Sequence, residues 1–343
     1  MMVNWYMQNG KESDVIISSR VRLSRNIKGI PFVSKCSNDE LKAVYTKMKE
    51  ITPALGYGLK FIPLKDIDEL NKQCLVEKNL ISLEFAKSKN PYTAIMINDE
   101  ENICIIINEE DHIKLQVFSS GLDLENLMNL AIEIDQKLEE FIPYSFHHQY
   151  GYLTACPTNV GTGLKVSVLA HIPALELTGN LRKILNVVNN LGISIRGVNK
   201  EEDNIKGQLY QITNNQTLGV TEKEITKNLK LVSQKIIEQE RIARKFLAKK
   251  EIEFEDKVYR DYGILTNARK ISEDEAIDLL SMVKMGTDLG VIKELNDQKI
   301  AELNLYTKPA NLQKLTGKNL SEYDQDIERA KVIKNIISGN TTI

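Results

Sequence analysis

Apolar residues recur at helical spacing in several long stretches of the chain, most clearly over residues 123–141. Two further helices are predicted to begin at capping boxes, Ser37-x-x-Glu40 and Thr221-x-x-Glu224, in which the paired side chains satisfy free backbone N–H groups at a helix start. Pro53 and Gly56 are expected to end the first of them. The helices predicted before residue 255 cover residues 37 to between 53 and 56, 66–78, 123–141, about 180–191 and 221–250.

Strands are predicted where short apolar runs rich in β-branched residues are bounded by polar turns. Residues 92–98 and 103–108 form two such runs, and the intervening Asp99-Glu100-Glu101-Asn102 is typical of the turn of an antiparallel hairpin. Further strands are predicted over residues 166–172, 193–198 and 208–213.

The pattern changes after Glu255. No convincing strand follows in the sequence, whereas residues 259–268, 273–285 and 322–337 have helical periodicity. This shift in element type predicts a boundary between a mixed domain over residues 1–255 and a helical domain over residues 256–343.

The composition is that of an ordinary globular protein. The 343 residues are enough for about two domains, and 42% apolar against 27% charged residues is enough for a hydrophobic core. The formal net charge of −2 argues against a general surface for nucleic acids or membranes. Four cysteines lie far apart without a C-x-x-C pair, so neither a zinc site nor a disulfide framework is indicated, and a reducing compartment fits. Without a signal-peptide core or a run near the roughly 20 apolar residues of a membrane helix, the protein is expected in the cytoplasm.

The most acidic feature is Asn108-Glu109-Glu110-Asp111-His112, which directly follows the apolar run of residues 103–107. Charge at the end of a buried strand is costly unless it is solvated or paired. The candidates for its partner are a metal ion, a guanidinium or solvent.

A basic feature lies near the N-terminus, in Ser18-Ser19-Arg20-Val21-Arg22-Leu23-Ser24-Arg25. On a strand, Arg20 and Arg22 project from the same face about 6 to 7 Å apart, a spacing that suits a polyphosphate. For an isolated R-x-R pair, however, a solvated basic edge strand is the commoner explanation.

Two glycine-bearing segments complete the candidates. Cys156-Pro157-Thr158-Asn159-Val160-Gly161-Thr162-Gly163-Leu164-Lys165 could bring backbone N–H groups close to an anion. It lacks the spacing of a P-loop or a dinucleotide motif, so a plain turn is its generic interpretation. Its Cys156 is either a reactive thiol or a small buried hydrophobe. Arg196-Gly197-Val198-Asn199-Lys200-Glu201-Glu202-Asp203 ends a predicted strand, and solvated loop charge is a sufficient explanation for it.

Together, these four segments match one family in order and spacing. The chain resembles the ATP:guanido phosphotransferases, the phosphagen kinase superfamily, whose marks are S-S-R-[VI]-R, N-E-E-D-H and C-P-[ST]-N-x-G-T-G. The resemblance covers most of the chain, including Val76-Glu77-Lys78, Leu80-Ile81-Ser82 and the segment from Asp256 to Gly263. Within the superfamily the chain is most similar to the bacterial protein arginine kinases, because the first motif begins at Ser18 without a preceding helical domain and a helical region follows residue 255.

The resemblance implies a fold of the α+β class, a guanido-kinase-type antiparallel sheet flanked by helices and followed by a C-terminal all-helical domain. Residues 1–255 would be the phosphagen-kinase-like catalytic domain. Residues 256–343 would mediate dimerisation and phosphoarginine reading.

The resemblance also implies roles for the acidic residues. Glu110 would be the catalytic base that orients the guanidinium, and Glu201 would be a second carboxylate from a mobile loop. Glu109 and Asp111 would hold a hydrated Mg²⁺ that bridges the phosphates, and Cys156 would line the guanidinium pocket. Carboxylates are required because a guanidinium, with a pKa above about 12, is a poor nucleophile until it is gripped and relieved of a proton.

ATP would be bound by residues from several parts of the chain. Lys114 and Lys165 stand where the family places phosphate-clamping arginines, and Asn79 stands where protein arginine kinases place a nucleotide-contacting histidine. Because lysine keeps the charge but loses the bidentate fork, weaker ATP binding or slower turnover than in a typical member is expected. The implied ATP-binding residues are Ser18, Ser19, Arg20, Val21, Arg22, Asn79, Lys114, Lys165, Val166, Ser167, Val168, Leu169, Arg196, Gly197, Val198, Asn199, Lys200 and Glu201.

A phosphoarginine pocket is implied near the C-terminus, at Gln325, Asp326, Arg329 and Ala330. Gln325 replaces the leading arginine of the family and offers only neutral hydrogen bonds to a phosphate. A solvated helix face with alternating charges explains the segment equally well.

The expected function is that of an ATP-dependent protein arginine kinase that marks proteins for proteolysis and controls stress regulators. The resemblance implies a CtsR-like repressor and substrates of a ClpC-type protease as targets, an McsA-like activator and a homodimer, with no direct nucleic-acid or membrane partner. Two alternatives stay open: phosphorylation of a free guanidino compound, and a catalytically weakened scaffold or adaptor. The second is suggested by Lys114, Lys165, Asn79 and Gln325 together.

Overall fold

A computed structural model describes residues 4–181, 184, 192–198, 200–201 and 204–339, with only the backbone described for residues 200, 201 and 204. Its strands are β1 (Ile16–Arg25), β2 (Lys60–Pro63), β3 (Ala94–Ile97), β4 (Ile103–Ile107), β5 (Ile113–Ser120), β6 (Phe146–His147), β7 (Gly151–Tyr152), β8 (Leu164–His171), β9 (Ile193–Gly197), β10 (Lys200–Glu201), β11 (Asn204–Ile205) and β12 (Leu209–Asn214). Eight of them form one antiparallel sheet in the order β2-β3-β4-β5-β1-β8-β12-β9. The pairs β6-β7 and β10-β11 are separate short hairpins.

Helices flank the sheet and then continue to the C-terminal end. They are α1 (Asn38–Leu55), α2 (Glu69–Glu77), α3 (Leu83–Ala86), α4 (Leu124–Phe141), α5 (Pro173–Leu177), α6 (Glu222–Ala248), α7 (Glu251–Asn267), α8 (Glu273–Asp288), α9 (Asp297–Tyr306), α10 (Pro309–Thr316) and α11 (Glu322–Ser338). Among the described residues, no helix combines the length and the apolar character needed to cross a membrane.

The two faces of the sheet are covered differently. On one face, α1, α4 and α6 pack on the strands, and the inward residues are apolar: Val21 of β1 lies opposite Val117 of β5 and Val166 of β8, and all three are fully buried. On the other face, residues 64–86 cover β3 and β4 with a second apolar cluster that includes Leu80. Beyond β5, this second face becomes polar and partly exposed.

The C-terminal helices pack on one another and on the rest of the chain. Helix α8 packs on α7, and α10 packs on α2. Arg244 of α6 forms buried ion pairs with Glu240 of the same helix at 2.8 Å and with Asp288 of α8 at 3.0 Å. Apolar residues of α7, such as Val258 and Leu265, belong to the same core cluster as the central strands.

The structure confirms the α+β class and the capping boxes. The hydroxyl oxygens of Ser37 and Thr221 accept hydrogen bonds from the backbone N–H groups three residues later. The predicted hairpin of residues 92–108 is formed by β3 and β4, which pair antiparallel.

Helix α1 ends at Leu55 with Gly56 at its C-cap, which confirms the predicted end at Gly56, whereas Pro53 lies within the last turn and does not end the helix. The predicted start of the second helix was wrong. Helix α2 begins at Glu69 rather than at residue 66, because the side chain of Asp68 accepts from the N–H of Asn71 and caps the helix there. The helix predicted over residues 180–191 lies largely outside the described residues. The sequence did not predict β2, β5, α9 and α10.

Candidate active site

Strand β1 places two arginines on the partly exposed face of the sheet. Because side chains alternate along a strand, Arg20 and Arg22 share one face and Val21 lies on the core face. Lys165 of β8 lies directly opposite Arg22, and Lys114 of β5 is paired two residues further along β1. Both lysines therefore share the face of the arginines.

Arg196 of β9 belongs to the same face. It lies opposite Gln211 of β12, which in turn lies opposite Leu169 of β8. The described part of this surface, which we call the cation face, thus gathers positive side chains from four strands: Arg20, Arg22, Lys114, Lys165 and Arg196.

The members of the cation face destabilise one another's charge. Burial, reinforced by the charge of Arg22, lowers the pKa of Arg20 to about 10. Burial also lowers the pKa of Arg22, although Glu110 opposes this. Burial and the charges of Arg22 and Arg196 lower the pKa of Lys165. A bound polyanion would relieve this repulsion, so the surface is suited to a triphosphate.

The two lysines of the cation face also have partners within the protein. The ammonium of Lys114 forms an ion pair with Glu109, whose other oxygen accepts from the hydroxyl of Ser82 at 2.7 Å. The ion pair favours charged Lys114, whereas burial and the neighbouring arginines lower its pKa to about 7. Lys165 donates to the backbone carbonyl of Asn214 at 3.2 Å. Each lysine is thus already paired within the protein.

Residues 108–112 connect β4 to β5 and form what we call the carboxylate loop. Several hydrogen bonds hold this loop in place. Asn26 donates to Oδ1 of Asp111 at 2.7 Å and accepts from the N–H of His112 at 3.0 Å. The backbone N–H of Ala155 donates to the same oxygen of Asp111 at 2.7 Å. Asp111 is fully buried as a result, whereas its neighbour Glu110 is exposed. The loop thus presents one fixed and one accessible carboxylate.

The second oxygen of Asp111, Oδ2, is buried and accepts no hydrogen bond from the residues that the structure describes. An unpaired buried carboxylate oxygen is costly, so this position favours a cation. Within the described residues, no group of three or more His, Cys, Asp or Glu side chains could by itself hold a metal ion. Mg²⁺ does not require such a group, because it is commonly bound through one or two carboxylates together with substrate phosphates and water. Asp111 and Glu109 therefore fit a Mg²⁺–nucleotide complex.

The glycine-bearing segment before β8 packs tightly against other backbone. Gly161 has a φ of 111°, and a Cβ there would lie 2.2 Å from the carbonyl oxygen of Thr217. A Cβ on Gly163 would lie 2.6 Å from the carbonyl oxygen of Ser24. These glycines are therefore required by the packing of the turn itself.

This tight turn brings Cys156 to the carboxylate loop. Cys156 is half-buried, and its Sγ lies 3.0 Å from Oγ1 of Thr158. Glu110, Asp111 and Cys156 all act electrostatically on Arg22. The structure thus gathers the residues that the sequence assigned to the base, the metal and the guanidinium pocket around one arginine of the cation face.

A pocket opens beside Arg20. The rings of Trp5 and Phe118 line it, stacked with centroids 5.4 Å apart and planes 18° apart. Asn79 lies at its edge with a φ of 60°, a left-handed conformation that asparagine tolerates better than most residues. The lining residues that the sequence had assigned to ATP are Ser18, Arg20, Asn79, Ser167, Leu169 and Val198.

Sequence reasoning missed four lining residues of this pocket: Trp5, Lys78, Phe118 and Gln211. Phe118 was missed because β5 was not predicted as a strand. Lys78 stands in the Val76-Glu77-Lys78 segment of the family resemblance, which was the only signal available for it.

Other predicted ATP-binding residues are placed differently. Four of them, Ser19, Val21, Val166 and Val168, are almost fully buried on the core face, so their side chains support the sheet beneath the site. The backbone of Lys200 and Glu201 pairs with residues 204–205, and their side chains are not described. Asn199 lies outside the described residues.

The C-terminal segment predicted to read phosphoarginine is built from satisfied groups. Arg329 is only 2% exposed; its Nε donates to the carbonyl of Thr307 at 2.7 Å, and its Nη1 donates to a second carbonyl and to Oδ1 of Asp326 at 2.7 Å. Ala330 is fully buried, and Gln325 donates to a backbone carbonyl at 3.1 Å. These bonds join α11 to the preceding helices.

Comparisons with known proteins cover nearly the whole chain. The family model of the ATP:guanido phosphotransferase C-terminal catalytic domain matches residues 38–243, and that of the protein-arginine kinase McsB C-terminal domain matches residues 251–342. The curated protein-arginine kinase of Halothermothrix orenii is 45% identical over 333 residues, which are 96% of this chain and 95% of that protein. The protein-arginine kinase of Bacillus subtilis is 40% identical over 337 residues, 96% of this chain and 92% of that protein.

Solved structures resemble a smaller part of the chain. The duplicated taurocyamine kinase of Schistosoma mansoni, with bound transition state analogue components, superposes with a TM-score of 0.59 and 27% identity over 66% of this chain and 33% of its own. Lombricine kinase has the same fold, with a TM-score of 0.58 and 23% identity over 70% of this chain and 69% of its own. The family models and the curated relatives together establish that the chain belongs to the ATP:guanido phosphotransferase family and, within it, to the protein-arginine kinases.

Proposed function

We propose that this protein transfers the γ-phosphoryl group of ATP to the guanidinium of arginine side chains in other proteins. One observation carries the proposal: a relative named protein-arginine kinase matches 96% of the chain at 45% identity. The family model of the protein-arginine kinase McsB C-terminal domain also matches residues 251–342, whereas the solved taurocyamine kinase superposes on only 66% of the chain.

ATP would lie along the cation face. Phosphoryl transfer passes through a loose transition state with charge spread over the phosphate oxygens, so the protein contributes mainly positioning and positive charge. Arg20, Arg22 and the neighbouring lysines would supply that charge. The stacked rings of Trp5 and Phe118 would provide an apolar surface for an uncharged part of the nucleotide.

The carboxylate loop would act on the substrate. Glu110, exposed beside Arg22, would grip the guanidinium and accept its proton while the nitrogen attacks the γ-phosphorus. A nitrogen–phosphorus bond forms, the bond from phosphorus to the bridging oxygen breaks, and ADP leaves. Glu201 would provide a second carboxylate, and Cys156 would line the guanidinium pocket.

Mg²⁺, when bound, would neutralise part of the phosphate charge and fix the geometry of the triphosphate. Asp111 would hold it through the unpaired Oδ2. Glu109, which is paired with Lys114, would be the second carboxylate for the ion.

In the cell, the proposal extends to cytoplasmic protein substrates marked for proteolysis by a ClpC-type protease, to a CtsR-like stress repressor and to an McsA-like activator. Residues 1–255 would be the catalytic domain. Residues 256–343 would mediate homodimerisation and phosphoarginine reading, with Gln325, Asp326, Arg329 and Ala330 as the reading segment. These finer statements rest on the family resemblance.

Phosphorylation of a free guanidino compound is the second candidate, favoured by the structural likeness to taurocyamine kinase. The two functions separate when radiolabelled ATP and Mg²⁺ are given either an arginine-rich protein or free arginine and taurocyamine, and acid-labile phosphate is counted. We expect label in the protein only, and none with Glu110→Ala. Label only in the small compounds would establish the alternative instead.

A weakened scaffold is the third candidate, favoured by the engagement of Lys114 with Glu109. It predicts nucleotide binding without transfer to either class of acceptor, even when the activator is present. Transfer by the wild-type protein would exclude it.

A further inference from the structure

Residues 77–82, which we call the connecting segment, contact the candidate ATP site at several points. Lys78 and Asn79 line the pocket beside Arg20. The carbonyl of Leu80 accepts from the side chain of Gln116 on β5 at 3.0 Å, and Ser82 donates to Glu109 at 2.7 Å. The position of this segment therefore sets the position of part of the nucleotide pocket.

The first residue of the connecting segment is held by the C-terminal helices. The carboxylate of Glu77 accepts from the N–H of Ala310 at 2.7 Å and from the N–H and side-chain amide of Asn311 at 2.9 and 2.6 Å. These donors form the first turn of α10, the positive end of that helix. The ammonium of Lys308 donates to the backbone carbonyl of Glu77 at 2.8 Å.

We call the contacts of Glu77 with Lys308, Ala310 and Asn311 the junction. It differs from the contact between Lys314 and Asn71, which also joins α10 to α2. Asn311 is 4% exposed, and burial lowers the pKa of Lys308 while Glu77 opposes the change. By contrast, Lys314 of α10 reaches Asn71 of α2 on the exposed surface, where such a contact stabilises little. Glu77 and Lys308 are themselves partly buried, so loss of a partner there leaves a charged group less well compensated than at the exposed contact.

The junction continues towards the C-terminal end of the chain. Lys308 directly follows Thr307, whose carbonyl accepts from Nε of the buried Arg329 at 2.7 Å. A run of bonded groups thus leads from Arg329 through Thr307, Lys308 and Glu77 to Lys78 at the pocket.

We propose that Glu77 is a positioning residue through which the C-terminal helices hold Lys78 and Asn79 in place for ATP. This inference rests on the proposed function in that ATP is the ligand. It adds that the affinity for ATP depends on a contact made by α10, which itself does not line the pocket.

The test breaks the junction from the side of α10. Asn311→Asp places a second carboxylate against Glu77 with almost no change in shape. In the full-length protein, the Kd for fluorescent ATP with Mg²⁺, and the KM for ATP with it, should rise at least about fivefold, the lower end of typical coupling between sites. The kcat and the KM for the protein substrate should stay within about twofold, because Asn311→Asp removes no side chain of the carboxylate loop and Glu110 keeps its place beside Arg22.

A charge exchange provides the rescue. In Glu77→Gln/Asn311→Asp, an amide again faces a carboxylate, so the Kd for ATP should return towards the wild-type value. Lys314→Met is the matched control, since it breaks the exposed contact between the same helices and should leave the Kd unchanged. Thermal unfolding midpoints of all variants are measured in parallel.

A lowered unfolding midpoint for Asn311→Asp with an unchanged Kd would overturn the inference and leave Glu77 a purely structural residue. An equal effect of Lys314→Met, or no rescue by the double variant, would do the same. These failures are distinguishable from failure of the proposed function, in which the wild-type protein itself would bind no nucleotide or transfer no phosphoryl group.

Discussion

Two short, charged segments are recognisable from the sequence: the carboxylate loop of residues 108–112 and the C-terminal segment of residues 325–330. They differ in whether their buried charged groups have hydrogen-bond partners. In the loop, Oδ2 of Asp111 is buried and accepts no hydrogen bond from the described part of the chain. In the C-terminal segment, the buried Arg329 donates to two carbonyls and to Asp326. The first arrangement favours a cation at the free oxygen, whereas the second pairs its arginine within the protein.

The two segments differ in what compensates the desolvation penalty of a buried charge: partners within the fold, or a bound ligand. A fully paired buried charge stabilises the native fold, and removing one partner leaves the other buried groups unpaired. A buried charge that lacks a partner, like the mutually repelling cation face, lowers stability until a ligand binds. Substitutions in the two regions should therefore separate activity from stability.

The largest effect is expected from Glu110→Ala. Loss of a general base typically reduces the rate by about 10²- to 10⁴-fold, and kcat for protein phosphorylation should fall by that amount. Because Glu110 is exposed, the unfolding midpoint should not change. Glu140→Ala, an exposed residue on α4, is the control. A fall in stability that parallels the fall in kcat would contradict the assignment.

Arg329→Met should act on stability. It leaves two buried carbonyls and Asp326 without their donor, so the free energy of unfolding should fall by about 3–5 kcal/mol, measured by chemical denaturation. Arg269→Met removes an exposed arginine nearby and should have little effect. An unchanged free energy of unfolding for Arg329→Met would mean that the hydrogen bonds of Arg329 do not stabilise the fold.

Asp111→Asn tests the unpaired oxygen directly. The amide can keep the hydrogen bonds of Oδ1 to Asn26 and Ala155 while removing the charge at Oδ2. The Mg²⁺ concentration for half-maximal activity should rise by about 10- to 100-fold, as for other losses around a metal, with no loss of stability. An unchanged Mg²⁺ requirement would exclude Asp111 from the metal site.

The smallest effect is expected from restoring arginines at the two lysine positions. Lys114→Arg/Lys165→Arg should lower the KM for ATP by up to about tenfold, because arginine binds phosphate bidentately and charge-assisted bonds contribute about 1.5–3 kcal/mol. Lys137→Arg, on the surface of α4, is the control. If neither the KM for ATP nor kcat changes, the lysines do not limit the use of ATP.

Much of the fold could be predicted because its signals are local. Ser37 and Thr221 define helix starts within four residues, and the apolar periodicity of residues 123–141 defines α4. Strand β5 was not predicted, although Ile113, Leu115 and Val117 alternate with Lys114 and Gln116 in the pattern of a strand with one apolar face. Helix α10 has only eight residues, from Pro309 to Thr316, and its position depends on contacts with α2 that have no sequence signature.

The residues of the candidate site likewise include some that could be predicted from the sequence and some that could not. Glu110, Arg20 and Cys156 were found because each stands in a contiguous motif. Trp5 and Phe118 reach the pocket only through the folded sheet, and Glu77 meets Asn311 across 234 positions of the chain. Contacts at such separation leave no local pattern, so sequence analysis could not have found them.

The most direct test of the account is mass spectrometry at mild pH on an arginine-rich protein incubated with this protein, ATP and Mg²⁺. The wild-type protein and Glu140→Ala should produce phosphorus–nitrogen-linked phosphate on arginine side chains, and Glu110→Ala should produce none. Phosphoarginine formed equally by Glu110→Ala, or none formed by the wild-type protein in the presence of its activator, would contradict the account.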